Sequence, residues 1–133
     1  MIVVDVNILV YRWLPGSRST LADAAAQKDG EWNAPLLWRS EMRNVLAGYV
    51  RAGRLSEADA LAVMTRAAGS VAGREHTIAD GEVMALIRSS NCSAYDCEYA
   101  ALAVRLGVTL VTEDRQLLKS FPNVAMSLDT FVA

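Results

Sequence analysis

Residues 1–7 read MIVVDVN, and residues 107–118 read GVTLVTEDRQLL. Each stretch carries a short apolar run rich in β-branched residues, Ile2 to Val4 and Val108 to Val111, of the kind that enters a buried parallel strand. Each run leads to a carboxylate. Asp5 follows the first directly, and Asp114 comes two residues after Thr112. In a parallel α/β sheet both acids would lie at carboxyl ends of strands, where such sheets place their sites.

The chain between these two runs alternates helical and extended patterns. Val6 to Leu14 is helical in pattern and is stopped by Pro15-Gly16. Ser19 or Thr20 is a candidate cap for a helix over Leu21 to Lys28, which Asp29-Gly30 ends. Glu31 to Ala34 is a strand candidate. From Leu36 to Ala52 the apolar residues Trp38, Met42, Val45, Leu46, Tyr49 and Val50 recur at helical spacing. Ser56 opens a helix to about Ala72, and Glu75 to Ile78 reads as a short strand. Asp80 to Ser89 is helical. Ser93 caps Tyr95 to Leu106, with Gly107 as its terminator. After Val108 to Val111 come a short helix, Arg115 to Phe121, and an edge-strand candidate, Val124 to Met126. This alternation predicts a three-layer α/β/α sandwich with a mainly parallel central sheet. No Pro/Gly/Ser-rich linker divides the chain, so residues 1–133 are expected to form a single domain.

Composition narrows the function. Hydrophobic residues make up 53% and charged residues 21%, which is globular and not disordered. No apolar stretch approaches the roughly 20 residues of a membrane span, and no secretory leader is evident. Cys92 and Cys97 are too close together to staple the fold, and two thiols do not make a zinc site. A reduced, cytoplasmic protein is expected. The net charge of -2 argues against a nucleic-acid partner unless part of the acidity is neutralised by cations. Of the 13 basic residues 11 are arginine, the residue better suited to bidentate phosphate contacts.

Two further acids join Asp5 and Asp114. Glu41 is three residues from Trp38 and four from Val45, so it borders the buried stripe of its helix. Asp96 opens its helix with Tyr99, Ala100 and Ala103 on the same side. Each acid has an ordinary structural reading. Asp5 can be a turn residue and Asp96 the acidic member of a capping box begun by Ser93. Asp114 can be a first-turn acid after a Thr112 cap, and Glu41 can pair with an arginine. Together they are harder to explain so. Two carboxylates about 4 Å apart repel by roughly 4 kcal/mol at an effective dielectric of 20. Four in one pocket would strain a small domain's stability unless protons or cations enter. Oxygen-only ligands select Mg²⁺ or Mn²⁺, ions suited to phosphodiester hydrolysis.

MIVVDVN, SEMRN around Glu41, SAYDCEYAALA around Asp96 and GVTLVTEDRQLL around Asp114 resemble the PIN domain, specifically the VapC-type toxins of prokaryotic toxin–antitoxin pairs. The resemblance runs from residue 2 to about residue 131. It implies a PIN-like fold and a Mg²⁺- or Mn²⁺-dependent endoribonuclease with Asp5, Glu41, Asp96 and Asp114 as metal-binding catalytic acids. It further implies an RNA substrate, a cognate antitoxin and a homodimer. Asn7 matches a supporting polar position, set to orient Asp5 or a metal water. Thr112 matches another, set to bond Asp114 or a water. Both also read as cap residues. Glu113, an extra acid beside Asp114, is expected to face solvent. Cys97 and Glu98 stand where the family often has small residues, and Cys97 is expected in the core.

The remaining candidates carry weaker signals. His76 is the only histidine, so no Ser-His-Asp set exists, and a strand-edge or surface position is expected. Trp13, Trp32 and Trp38 are expected in the core, with a partner groove as the alternative for Trp13. Arg39 and Arg43 share a helix face and are expected in solvent or at an interface. Arg115 is the candidate phosphate contact. Other readings are an RNA-processing or decay nuclease without an antitoxin, a PIN domain that only binds, or a phosphoacceptor signalling domain. The last needs a lysine at the site, and Lys28 and Lys119 are both assigned to helices.

Overall fold

Strand β1 (Ile2–Val4) occupies the centre of a five-stranded sheet in the computed structural model, which describes residues 1–133. Its neighbours are β2 (Trp32–Pro35) and β4 (Leu110–Val111), followed outward by β3 (Glu75–His76) and β5 (Ala125–Met126). The order is β3-β2-β1-β4-β5, and every pairing is parallel. Val3 pairs with Asn33 on one side and Leu110 on the other. Strand order therefore reverses between β1 and β4, which carry Asp5 and Asp114 at their carboxyl ends.

Eight helices connect and flank the strands: α1 (Val6–Trp13), α2 (Ser19–Lys28), α3 (Trp38–Arg51), α4 (Glu57–Ser70), α5 (Asp80–Arg88), α6 (Ala94–Leu106), α7 (Arg115–Ser120) and α8 (Leu128–Val132). They lie on both sides of the sheet. Helix α6 packs on β1, β2 and β4, and its partner is α5, whereas α1 packs against β1, α2, α3 and α4. The core includes Val3, Val4, Ile8, Leu9, Trp32, Trp38, Met42, Leu102, Leu110 and Leu117, all fully buried. The expected sandwich is thus present, with a sheet parallel throughout.

Several boundaries differ from expectation for local reasons. Helix α2 begins at Ser19 behind an Arg18 cap; the Ser19 hydroxyl accepts the Gly16 N–H and donates to Leu14. Strand β4 starts at Leu110 because the Val108 N–H bonds Ala103 O at the exit of α6, where Gly107 turns the chain at φ 65°. Helix α8, capped by Ser127, has no counterpart among the expected elements. Trp32 and Trp38 are fully buried, and Trp13 is half-buried with its indole N–H on Ser70 Oγ at 2.8 Å. Cys92 and Cys97 are buried free thiols. No helix is long and apolar enough to cross a membrane.

Candidate active site

Four helix N-termini meet at the carboxyl end of the central strands. Asp5 is the N-cap of α1 and Asp114 the N-cap of α7, while Glu41 and Asp96 stand in the first turns of α3 and α6. The positive end of each helix favours a carboxylate there by roughly 0.3–1 kcal/mol. Asp5 and Asp114 are thus helix caps, where the ordinary readings are a turn residue and a first-turn acid, and capping coexists with their convergence.

Asp5 is the most enclosed of the four, 5% exposed. One carboxylate oxygen accepts the Val6 N–H at 2.7 Å, and the other accepts the Thr112 hydroxyl at 2.7 Å. Thr112 Oγ1 in turn accepts the Asp114 N–H at 3.0 Å, so one buried hydroxyl ties the end of β1 to the start of α7. The expected Thr112 link to Asp114 thus runs through the backbone, and the helix cap is Asp114 itself, whose Oδ1 accepts the Leu117 N–H at 2.9 Å. Asn7 is half-buried and is not among the partners of Asp5.

Glu41 receives the phenol of Tyr99 at 2.5 Å, not an arginine. Tyr99 is fully buried on α6, three residues from Asp96, so it fixes Glu41 beside the helix that carries Asp96. Sequence reading placed Tyr99 on the inward face of α6 without joining it to Glu41, from which it is separated by 58 residues. Ser93 caps α6 by accepting the Asp96 N–H at 3.1 Å.

The electrostatics follow from burial and crowding. Burial foremost pushes Asp5 up to about 6; the Thr112 and Val6 bonds oppose this, and Asp96 and Asp114 add to it. Burial also raises Glu41 above the ordinary range against the Tyr99 bond, with Asp5, Asp96 and Glu98 contributing. Asp96 is raised by burial and then by Asp114. Glu98, passed over as a candidate, is thus a fifth acid within electrostatic reach. None of the quartet takes part in any of the six ion pairs. The donors are all hard oxygens, the chemistry that suits Mg²⁺ or Mn²⁺. As the side chains stand, no three acids are drawn together tightly enough to hold a metal ion.

One further expectation is corrected, and the remaining candidates find their places. Glu113 does not face solvent freely: it accepts Arg18 at 3.0 Å and the Leu128 N–H at 2.9 Å, strapping α8 to the sheet. Arg39 is engaged by Glu75 at 2.7 and 3.0 Å, leaving Arg43 exposed. His76 sits on edge strand β3, its Nε2 2.9 Å from Asn33 Oδ1, and burial lowers its pKa. Arg115 is exposed at the first position of α7.

A parallel sheet of this order, with strand-end acids at its reversal point, defines an α/β protein of the PIN-like kind. The PIN domain matches residues 2–123, and the chain belongs to that family, among its VapC-type members. It is 31% identical over 124 residues to Ribonuclease VapC3 of Pyrobaculum aerophilum, a match spanning 91% of this chain and 95% of that protein. The crystal structure of PAE2754 from Pyrobaculum aerophilum superposes with a TM-score of 0.78 at 23% identity, covering 98% of this chain and 85% of that one. FitAB bound to an IR36 DNA fragment gives 0.71 at 17% identity, over 96% and 95%.

Proposed function

We propose that the protein is a Mg²⁺- or Mn²⁺-dependent endoribonuclease and the toxin of a toxin–antitoxin pair. The observation that carries the reading is the gathering of Asp5, Glu41, Asp96 and Asp114 with no basic side chain paired to any of them, burial raising the proton affinities of Asp5, Glu41 and Asp96. Membership of the PIN family and the likeness to Ribonuclease VapC3 support it.

In this reading the four carboxylates would hold the cation, which would supply polarisation of the phosphodiester and a lowered pKa for a water. Thr112 fixes one oxygen of Asp5 and, through the Asp114 N–H, the entry to α7. Tyr99 fixes Glu41 against the helix that carries Asp96. Asn7 would orient a water beside the acids. Arg115, exposed beside Asp114, meets a substrate phosphate. The sole histidine is held by Asn33 on an edge strand and takes no part.

A cognate antitoxin that covers the acids, a homodimer, a cytoplasmic setting and a single domain over residues 1–133 complete the proposal. Purified protein is incubated with labelled RNA in Mg²⁺ or Mn²⁺ and in EDTA, together with Asp5→Asn and Asp96→Asn. Cleavage is expected with metal only and in neither variant. Full activity in EDTA, or in either variant, overturns the reading.

A further inference from the structure

A pocket of four carboxylates repels the polyanion it is proposed to cut, so substrate phosphates outside the pocket need their own holders. An open basin of about 430 Å³ between the α5–α6 connection and α7 offers them. No hydrophobic residue lines it, and Arg88 and Lys119 do. These cations close α5 and α7 and enter none of the six ion pairs. No acid lines the basin, so its charge is uncompensated.

The basin adjoins the acids along the chain on both of its walls. Gln116 is two residues beyond Asp114, and Asn91 is two residues before Ser93, the cap of the helix that carries Asp96. Arg115, next to the cap Asp114, and Lys119, which lines the basin, are four apart on α7 and share a face. The loop wall is fixed: the Ser90 hydroxyl donates to Leu86 O at 2.8 Å and accepts the Cys92 N–H at 3.3 Å. Asn91 is exposed beside it, and Gln116 Nε2 donates to Ser120 Oγ at 3.3 Å with its carbonyl left to accept.

Resting on the nuclease reading, we infer that this basin is the docking subsite for single-stranded RNA flanking the cut, with Arg88 and Lys119 on phosphates and Asn91 and Gln116 on base edges. Amide side chains pair with donors and acceptors of unstacked bases, and cations hold the backbone. Binding of a labelled single-stranded oligoribonucleotide is measured by anisotropy in EDTA across a salt series, for the full chain and for Arg88→Ala/Lys119→Ala. The double variant should bind at least about tenfold more weakly, with a log–log salt slope shallower by about 1.4, two phosphates at about 0.7 each. Its KM for cleavage should rise with kcat held within about twofold. A control pair of exposed, unpaired arginines elsewhere, Arg51→Ala/Arg66→Ala, should leave binding unchanged. Equal weakening by the control pair, an unchanged affinity and slope in the basin variant, or no RNA binding by the parent overturns the subsite. Cleavage that survives intact in the basin variant sinks the subsite alone. RNA held through the basin by a protein that never cuts sinks the nuclease reading and leaves the subsite standing.

Discussion

Glu75 on β3 accepts the Trp38 indole N–H at 2.6 Å and the Arg39 guanidinium at 2.7 and 3.0 Å. Asp5, two strands away, accepts one hydroxyl and one backbone N–H and faces other acids. Arg39 holds the Glu75 carboxyl below the ordinary range, whereas burial drives Asp5 upward. One carboxylate is finished by its own protein, and the other is left wanting positive charge. The difference separates an acid neutralised by a basic partner within the fold from one set among other acids with no basic partner.

The sharpest way to break the contrast is catalytic. Asp5→Asn or Asp96→Asn should lower kcat/KM for RNA cleavage by about 10³-fold or more, as loss of a ligand to the activating ion does. Glu75→Gln should leave the rate within about twofold in the same assay. Comparable losses at both positions would erase the distinction.

Next comes pH. An acid whose folded pKa lies above its unfolded value lends stability at low pH that is lost as pH rises through the folded value. For Asp5, raised from 3.8 to about 6, the metal-free protein should lose about 2 kcal/mol between pH 4 and pH 7 from this group. Glu41 and Asp96 shift in the same direction. Urea unfolding in EDTA should show the decline, Mg²⁺ should reverse it, and Asp5→Asn should flatten it. Glu75 has the opposite sign: its contribution is present above the ordinary carboxylate range and lost as pH falls through its lowered value.

Tyr99→Phe should cost about 10–100-fold in activity, in line with removal of a residue that orients a ligand. Its Tm should shift little, because the ring stays buried. Smallest is Glu75→Ala, which leaves the buried Trp38 N–H without its acceptor. A loss of about 1–3 kcal/mol in urea unfolding is expected, with cleavage retained.

The sequence carries strong local signals for much of the fold. Ile2 to Val4 and the capping serines Ser56 and Ser93 have strong local signatures, and their elements begin where the pattern places them. What local pattern could not supply was pairing across the chain. Glu113 looked like a free neighbour of Asp114, yet Arg18, 95 residues earlier, holds it. Tyr99 looked like a core residue, and its hydroxyl found Glu41 across 58 positions. Strand ends failed for a related reason. Thr77 and Ile78 continue the Glu75–His76 pattern, but β2 ends opposite His76 and offers them no ladder. Helix α8 spans five residues, too few for a period to declare itself.

The strand order has a consequence for biosynthesis. Asp5 leaves the ribosome first, but the strand that must lie beside β1 at the reversal point is made more than a hundred residues later. Until Leu110 and Val111 emerge, the central strand lacks one neighbour and the hollow lacks a wall. A growing polypeptide of this design cannot assemble its acids early, so the four carboxylates come together only when nearly all of the chain has been translated.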